Sequence, residues 1–375
     1  MKTAVPAGQP VPAIEALPYV RAIAPYLAGK PIEELAREHG LDPEKIVKLA
    51  SNENPLGMPE SARMAIEAAL AELGRYPDSN GFELKAALSR KLDVPAEWIT
   101  LGNGSNDILE GAAAVMLAPG RSCVYAQHSF AVYPLATQAA GATGITVPAR
   151  RFGHDLDAMR AAIRPDTRVV FIANPNNPTG TLLAAPELHE FLSAVPPTVL
   201  VVLDEAYSEY LPEPDKAPSI AWLTEFPNLV VTRTFSKAYG LAGLRVGFAL
   251  SNSAVADLMN RVRQPFNVNS LSLTAAAAAL FDDEFVRRSY EVNAAGLRQV
   301  TAALDRLGLE HIPTHANFVT FRVGDGAAVY RRLLERGVIV RPIAGYGMPE
   351  WLRVSIGLES ENARFIEALA KAVPR

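Results

Sequence analysis

The residues most capable of chemistry surround one lysine in the stretch TFSKAYGLAGLRVG, residues 234–247. Lys237 follows the hydroxyl of Ser236, and Arg245 comes later in the same stretch. An amine among hydroxyl and guanidinium donors could react with an aldehyde and hold an anion. Taken alone, however, the stretch favours a solvated lysine in a glycine-rich loop. The role of Lys237 therefore depends on the residues that it meets in the fold.

A second stretch, LGNGSNDILEGAAAVM, carries a potential anion site. Gly102 and Gly104 precede Ser105, and Ser105 opens an apolar helical segment. The first N–H groups of a helix are unpaired and lie at its positive dipole end, which favours an anion. Serine N-caps are common and most bind nothing, and the stretch completes neither a dinucleotide fingerprint nor a P-loop. It indicates an anion site only in combination with other residues.

Two further polar segments follow apolar strands. RVVFIANPNNPTG ends in several amides, including Asn177, which either form a turn or hold a ligand. In VLVVLDEAYSEY, Asp204 ends an apolar run and Tyr207 follows closely. A buried carboxylate is costly unless it meets a cation or several donors, so we expect a positive group opposite Asp204. Glu205 points to the other face of the strand and is expected to be structural.

These groups are expected to meet, because ligands of open α/β sheets bind beyond the carboxyl ends of the strands. Together they supply an amine, a carboxylate, phenol and amide donors, and hydroxyl and guanidinium groups near a helix start. Pyridoxal 5'-phosphate requires that set for its aldehyde, its ring nitrogen, its ring hydroxyl and its phosphate. The residues therefore predict this cofactor.

The surrounding pattern predicts an α/β fold. Short apolar runs such as SCVYA, RVVFIAN and NLVVTRTF alternate with helical segments, which indicates a largely parallel sheet covered by helices. After about residue 270, longer helices at 325–336 and 361–373 and the short strands ANFVTFR and WLRVSIG indicate a smaller α+β domain. We predict an N-terminal arm over 1–30, a large domain over 55–268, and a small domain from 31–54 and 269–375.

The composition argues against several classes of protein. The 36 Lys and Arg residues against 40 Asp and Glu residues give a net charge of −4, so neither nucleic acid nor an anionic membrane is an expected partner. No apolar run spans a bilayer and prolines interrupt the N-terminus, so we expect a cytoplasmic protein.

Cys123 is the single cysteine and is expected to be a buried structural thiol in a strand. The histidine spacing favours no metal site.

The motif order resembles the fold-type I pyridoxal-phosphate aminotransferases. The motifs are NENPLG, RYPDSNG, GNGSND, NPNNPTG, DEAY, TFSKAYGLAGLRVG and WLRVSIG. The resemblance covers about residue 18 to the C-terminus and is closest to the histidinol-phosphate aminotransferases. It implies a large domain with a mostly parallel sheet flanked by helices, and a smaller α+β domain.

The resemblance also implies a role for each cofactor residue. Lys237 would bond covalently to the cofactor aldehyde, and Asp204 would keep the pyridine nitrogen protonated. Tyr207 and Asn177 would hydrogen-bond the ring hydroxyl, so that Lys237, Asp204 and Tyr207 form the catalytic set. Phe130, in HSFAVYP, would stack on the ring unless it is a plain core aromatic. The residues implied at the phosphate are Ser105, Asn106, Ser236 and Arg245, with Thr234 as a weaker candidate.

The same resemblance implies a homodimer with shared sites, since Tyr76 in RYPDSNG would reach the cofactor phosphate of the partner subunit. The alternative is a surface tyrosine in a turn. Arg353 in WLRVSIG would bind the substrate carboxylate, and Arg341 in VIVRPIAGYG would help to hold a substrate phosphate. Tyr26 in the arm and Asn52 in NENPLG would line the same pocket. Phe266 departs from the relatives that offer a hydroxyl to that phosphate.

The reaction implied is amino transfer between L-histidinol phosphate and 2-oxoglutarate, which gives imidazole acetol phosphate and L-glutamate in histidine biosynthesis. The substrates would be small molecules: an amino acid or amino phosphate, and 2-oxoglutarate. Three alternatives stay open: an aromatic amino acid aminotransferase, a threonine-phosphate decarboxylase, and a non-catalytic cofactor-binding regulatory protein. Preference among amino acceptors would distinguish the aromatic aminotransferase, and release of carbon dioxide would distinguish the decarboxylase. An intact Lys237 argues against the regulatory protein.

Overall fold

The computed structural model describes residues 15–25 and 29–373. The strands in these ranges are β1 (Val47–Lys48), β2 (Ile99–Gly102), β3 (Ser122–Ala126), β4 (Thr143–Val147), β5 (Thr167–Ala173), β6 (Leu200–Asp204), β7 (Leu229–Thr234), β8 (Gly247–Ser251), β9 (Phe318–Arg322), β10 (Val338–Ile339), β11 (Arg341–Pro342) and β12 (Trp351–Ser355). The α-helices are α1 (Pro18–Arg21), α2 (Ile32–His39), α3 (Glu60–Ala69), α4 (Phe82–Leu92), α5 (Ser105–Met116), α6 (Val132–Ala139), α7 (Leu156–Ala161), α8 (Ala185–Ala194), α9 (Ser253–Val262), α10 (Ser270–Ala279), α11 (Asp283–Arg306), α12 (Gly326–Leu334) and α13 (Glu359–Ala372).

The central sheet has the strand order β2-β8-β7-β6-β5-β3-β4. Strands β3 to β7 pair in parallel, while β8 runs antiparallel between β7 and β2. The apolar runs in the sequence are continuous because both faces of this sheet are covered. In β5, for example, Val170 and Ile172 pack in one apolar cluster, and Val169 and Phe171 pack in another. The predicted α/β fold is confirmed.

Some of the described helices begin at a polar side chain that caps their first turn. The amide of Asn252 receives the Val255 N–H at the start of α9, and the carboxylate of Asp282 receives the Phe285 N–H at the start of α11. Cys123 is buried in β3, as predicted. No helix in residues 15–25 and 29–373 is long and apolar enough to cross a membrane.

The C-terminal part of the chain has its own sheet, with the antiparallel order β11-β12-β9. A separate apolar cluster joins this sheet to α11, α12 and α13 and includes Leu49 of the N-terminal part. Strand β1 pairs in parallel with β10, which brings residues 47–48 next to the C-terminal sheet. The domain division stays a prediction. Helix α10, which the prediction assigned to the small domain, packs its alanines in the core of the large sheet.

Candidate active site

A cavity of about 190 Å³ lies at the carboxyl ends of the parallel strands. Asp204 ends β6 and Thr234 ends β7, so both side chains reach this edge because parallel strands finish at the same side of a sheet. The predicted site residues that line the cavity are Asn52, Ser105, Asn106, Phe130, Asn177, Asp204, Tyr207, Thr234, Ser236, Lys237, Arg245, Arg341 and Arg353. The fold thus brings together residues from both ends of the chain, and the role of each remains a prediction.

Lys237 follows β7 and lies in a partly buried position in the cavity. Its Nζ donates a hydrogen bond to the Ser51 carbonyl oxygen at 3.0 Å. Burial, assisted by the positive charge of Arg353, lowers the pKa of Lys237 to about 8. A substantial fraction of this amine is therefore neutral near physiological pH, and the neutral form is the nucleophile.

Asp204 is 5% exposed and receives hydrogen bonds on both carboxylate oxygens. The Tyr133 hydroxyl donates to Oδ2 at 2.9 Å, while the Thr232 hydroxyl and the Ala206 N–H donate to Oδ1, each at 3.2 Å. Burial raises the pKa of Asp204, and these donors oppose that shift because they stabilise the carboxylate. All three donors are uncharged, so a cationic ring nitrogen would complete the surroundings of this carboxylate.

An anion cradle forms where α5 meets the loop after β7. Gly104 precedes the helix with φ +81°, and a Cβ built on it would lie 2.4 Å from the Arg245 guanidinium. Arg245 Nη1 donates to Ser236 Oγ at 3.3 Å, and the Ser236 N–H donates to Thr234 Oγ1 at 3.1 Å. The glycine is required because the guanidinium approaches the start of the helix, where unpaired N–H groups also point.

Arg353 is 5% exposed, which rules out the exposed arginine that a terminal strand by itself would suggest. Its Nη1 donates to Asn177 Oδ1 at 2.5 Å, and its Nη2 donates to the Ala50 carbonyl oxygen at 2.9 Å. Tyr207 accepts a hydrogen bond from Asn52 Nδ2 at 2.9 Å, and burial raises the pKa of Tyr207 to about 12. These bonds tie the C-terminal sheet to the strand ends of the large sheet.

Tyr76 lies outside the cavity of its own chain. Its side chain is 82% exposed and stacks on Phe266, with ring centroids 4.8 Å apart. Tyr26 falls outside the described residues. Glu205 pairs with Arg233 at 2.8 Å on the opposite face of the sheet, as its predicted structural role requires.

Sequence reasoning missed two aromatic residues of the site. Tyr133 lies in the first turn of α6, three residues after Phe130 in HSFAVYP, and its place beside that predicted aromatic was the available signal. Tyr346, in the same segment as Arg341, lines the cavity, and its carbonyl oxygen is 2.7 Å from Nδ1 of His128. Neither follows a strand of the large sheet directly, so inspection of strand ends did not find them.

Comparison with known proteins adds evidence independent of the site geometry. A family model described as aminotransferase class I and II matches residues 44–369. Histidinol-phosphate aminotransferase 1 of Dechloromonas aromatica (strain RCB) is 63% identical over 359 residues, covering 96% of this chain and 99% of that protein. Histidinol-phosphate aminotransferase 1 of Cupriavidus pinatubonensis (strain JMP 134 / LMG 1197) is 64% identical over 359 residues, covering 95% and 96%. The crystal structure of histidinol-phosphate aminotransferase from Sinorhizobium meliloti in complex with pyridoxal-5'-phosphate is similar with a TM-score of 0.87 at 29% identity, over 95% of this chain and 96% of that chain.

Proposed function

Because the chain belongs to the class I and II aminotransferase family, we propose that it is a pyridoxal 5'-phosphate-dependent histidinol-phosphate aminotransferase. It transfers an amino group between L-histidinol phosphate and 2-oxoglutarate, which yields imidazole acetol phosphate and L-glutamate, in a step of histidine biosynthesis. The observation that carries the substrate assignment is the juxtaposition of Arg341 and Arg353 beside Lys237 in one cavity.

Two arginines suit this substrate pair because both amino donors are anionic in different ways. L-Histidinol phosphate carries a phosphate and no carboxylate, whereas L-glutamate carries two carboxylates. Guanidinium groups bind phosphate and carboxylate through the same fork of N–H donors. One cavity with two guanidinium groups can therefore accept each donor in turn.

The residues present fit the cofactor. Asp204 provides a buried carboxylate with only neutral donors, and Lys237 provides an amine whose pKa is lowered to about 8. The close approach of Gly104 and Arg245 provides a cradle for a phosphate. Pyridoxal 5'-phosphate, when bound, supplies an aldehyde that takes up the amino group and a ring that accepts electrons.

Each residue then has a defined task. Asp204 holds the proton on the ring nitrogen, and Phe130 packs against the ring. Asn177 and Tyr207 hydrogen-bond the ring hydroxyl, and Thr234 supports the loop of Ser236. The residues that hold the phosphate are Ser105, Asn106, Ser236 and Arg245.

Lys237 acts first as the covalent attachment point and then as the proton carrier. With the cofactor and an amino donor bound, Nζ of Lys237 would be the group that takes a proton from the substrate carbon that bears nitrogen. The lowered pKa suits this task because general acid–base catalysis works best when the pKa lies near the operating pH. Arg353, Arg341 and Asn52 orient the substrate, and the proposal also assigns Tyr26 of the arm to this pocket.

We also propose a homodimer with shared sites, in which Tyr76 reaches the cofactor phosphate in the partner's cavity. The exposure of Tyr76 and its stacking on Phe266 at the surface support this arrangement. The proposal places the enzyme in the cytoplasm without nucleic-acid or membrane partners, and the net charge of −4 supports it.

A comparison of two amino acceptors in separate assays tests the substrate assignment. Purified enzyme with L-glutamate is offered imidazole acetol phosphate or phenylpyruvate, and formation of 2-oxoglutarate is measured for each. We expect the phosphate-bearing acceptor to have the higher kcat/KM. Preferred turnover of phenylpyruvate would instead identify an aromatic amino acid aminotransferase. In a separate assay, release of carbon dioxide from L-threonine phosphate without an acceptor would identify the decarboxylase.

A further inference from the structure

Tyr133 is a buried tyrosine that contacts the proposed cofactor site through two of its residues, Asp204 and Phe130. It belongs to α6, and its side chain is 0% exposed. Its hydroxyl donates to Asp204 Oδ2 at 2.9 Å across 71 residues of sequence. Burying a hydroxyl in an apolar cluster is costly unless it finds a partner, and Asp204 is that partner.

The ring of Tyr133 is held in a fixed position. It stacks on Phe171 of β5 with centroids 4.7 Å apart and planes 4° from parallel, and it meets the edge of Phe130 at 5.9 Å and 87°. The Tyr133 carbonyl oxygen also accepts a bond from Thr137 Oγ1 at 2.8 Å. Packing on these sides leaves the hydroxyl aimed at Asp204.

The two oxygens of Asp204 have separate donors. Thr232 and the Ala206 N–H donate to Oδ1, whereas Tyr133 donates to Oδ2. Donors of this kind favour a charged carboxylate over the neutral acid. Next to a ring nitrogen, they therefore favour a carboxylate–pyridinium pair over a neutral acid beside a neutral pyridine.

We propose that Tyr133 is a positioning residue that orients Asp204 and keeps it a carboxylate, so that the ring nitrogen of the cofactor stays protonated. This inference rests on the proposed function, because it requires that Asp204 faces that nitrogen. Phe130, the residue proposed to cover the cofactor, packs against the same tyrosine ring, so Tyr133 also helps to hold Phe130 in place.

The test is cofactor affinity in the variant Tyr133→Phe, which keeps the ring and removes only the hydroxyl. Cofactor is stripped from the full-length enzyme, and dissociation constants are measured for pyridoxal 5'-phosphate and for its 1-deaza analogue, in which C–H replaces the ring nitrogen. We expect the variant to bind pyridoxal 5'-phosphate about tenfold more weakly, since a bond to a charged group is lost. Its affinity for the analogue should not fall, because Asp204 has no nitrogen to pair with there.

Tyr125→Phe is the matched control. Tyr125 is 8% exposed in the same apolar cluster, and its hydroxyl lies near Gly144 rather than Asp204. This variant should bind both ligands like the wild type. If Tyr133→Phe does not fold, Thr232→Val removes the hydroxyl donor on the other oxygen and should show the same selective weakening.

The outcomes are distinct. Equal weakening for cofactor and analogue would mean that Tyr133 only supports the cavity, and unchanged cofactor affinity would mean that Asp204 does not need it. Either result overturns the inference and leaves the aminotransferase assignment intact. A wild-type enzyme that binds no pyridoxal 5'-phosphate would overturn the proposed function itself.

Discussion

Arg341 and Arg353 lie directly opposite each other on the antiparallel strands β11 and β12. Directly opposed residues in an antiparallel pair share one face of the sheet, so two guanidinium groups are directed to the same side. Both line the cavity that contains Lys237. An anionic substrate between the two guanidinium groups would therefore be attracted by both charges.

Replacement of Arg341 should discriminate between substrates. Arg353 donates to Asn177 and to the Ala50 carbonyl oxygen, and the sequence resemblance implies that Arg341 rather than Arg353 holds the substrate phosphate. We expect Arg341→Gln to raise the KM for imidazole acetol phosphate on the order of 10- to 100-fold, the value of a charge-assisted bond, with a much smaller change for phenylpyruvate.

The control for that experiment is Arg322→Gln. Arg322 is a surface arginine whose side chain is 49% exposed and lies 2.8 Å from the carboxylate of Glu350. Its KM values should match the wild type, because exposed ion pairs contribute little. Equal effects of Arg341→Gln on both acceptors would contradict a phosphate-binding role.

Covalent capture of the cofactor should depend on pH through Lys237. Burial and the nearby Arg353 lower the pKa of Lys237 to about 8, and the amine reacts only when it is neutral. The rate should therefore rise about tenfold per pH unit below the pKa and level off above it. Stopped-flow absorbance after mixing cofactor-free enzyme with pyridoxal 5'-phosphate measures this rate.

Two results would disagree with this account. A rate that keeps rising to about pH 10 would show that the lysine keeps its ordinary pKa. Covalent capture that survives in Lys237→Ala would show that another amine attaches the cofactor. The variant should still bind the cofactor non-covalently, since the cradle and Asp204 are unchanged.

The anion cradle should not tolerate a side chain at its glycine. Gly104 has φ +81°, and an added Cβ would lie 2.4 Å from the Arg245 guanidinium. Gly104→Ala should therefore displace Arg245 and weaken cofactor binding by roughly tenfold or more, in addition to a backbone cost of about 1–2 kcal/mol.

Gly243→Ala provides the comparison, because its Cβ would meet nothing within 4 Å and its φ is not positive. Titration of cofactor-free protein with pyridoxal 5'-phosphate should separate the two variants. If Gly104→Ala bound pyridoxal 5'-phosphate with wild-type affinity, the anion cradle would not be part of the cofactor site.

A mixture of two defective variants should test whether the sites are shared between subunits. Tyr76→Ala and Lys237→Ala should each be strongly impaired as homodimers. If the sites are shared, a mixed dimer would combine the intact Lys237 of one subunit with the intact Tyr76 of the other, so one of its two sites would be complete. After equal mixing and subunit exchange, we expect about a quarter of wild-type activity.

An affinity tag on one variant confirms that subunits have exchanged. If activity then stays at the level of the separate variants, each site is complete within one subunit. The two variants control for each other, since both carry one replaced side chain and both undergo the same exchange. Sedimentation of the wild type reports the oligomeric state independently of activity.

Much of the architecture could be predicted because the signal is local. Strands β3, β5, β6 and β7 are largely buried on both faces, so their residues are mostly apolar without alternation, and Asp204 and Thr234 stand out where those runs end. Cys123 follows the same logic, since a short apolar strand buries its thiol. Boundaries were less accurate: the helix predicted over 325–336 spans Gly326–Leu334, and the helix predicted over 361–373 spans Glu359–Ala372.

By itself, the sequence determined the fold class and singled out Lys237 and the polar groups at the strand ends, because periodicity and residue type are properties of neighbouring residues. Only the tertiary structure decided that Tyr133 meets Asp204, that Arg341 faces Arg353, and that Arg353 is buried. These relationships join residues far apart in the chain or depend on strand register. They arise from packing between elements, and no local pattern records which side chains packing will bring together.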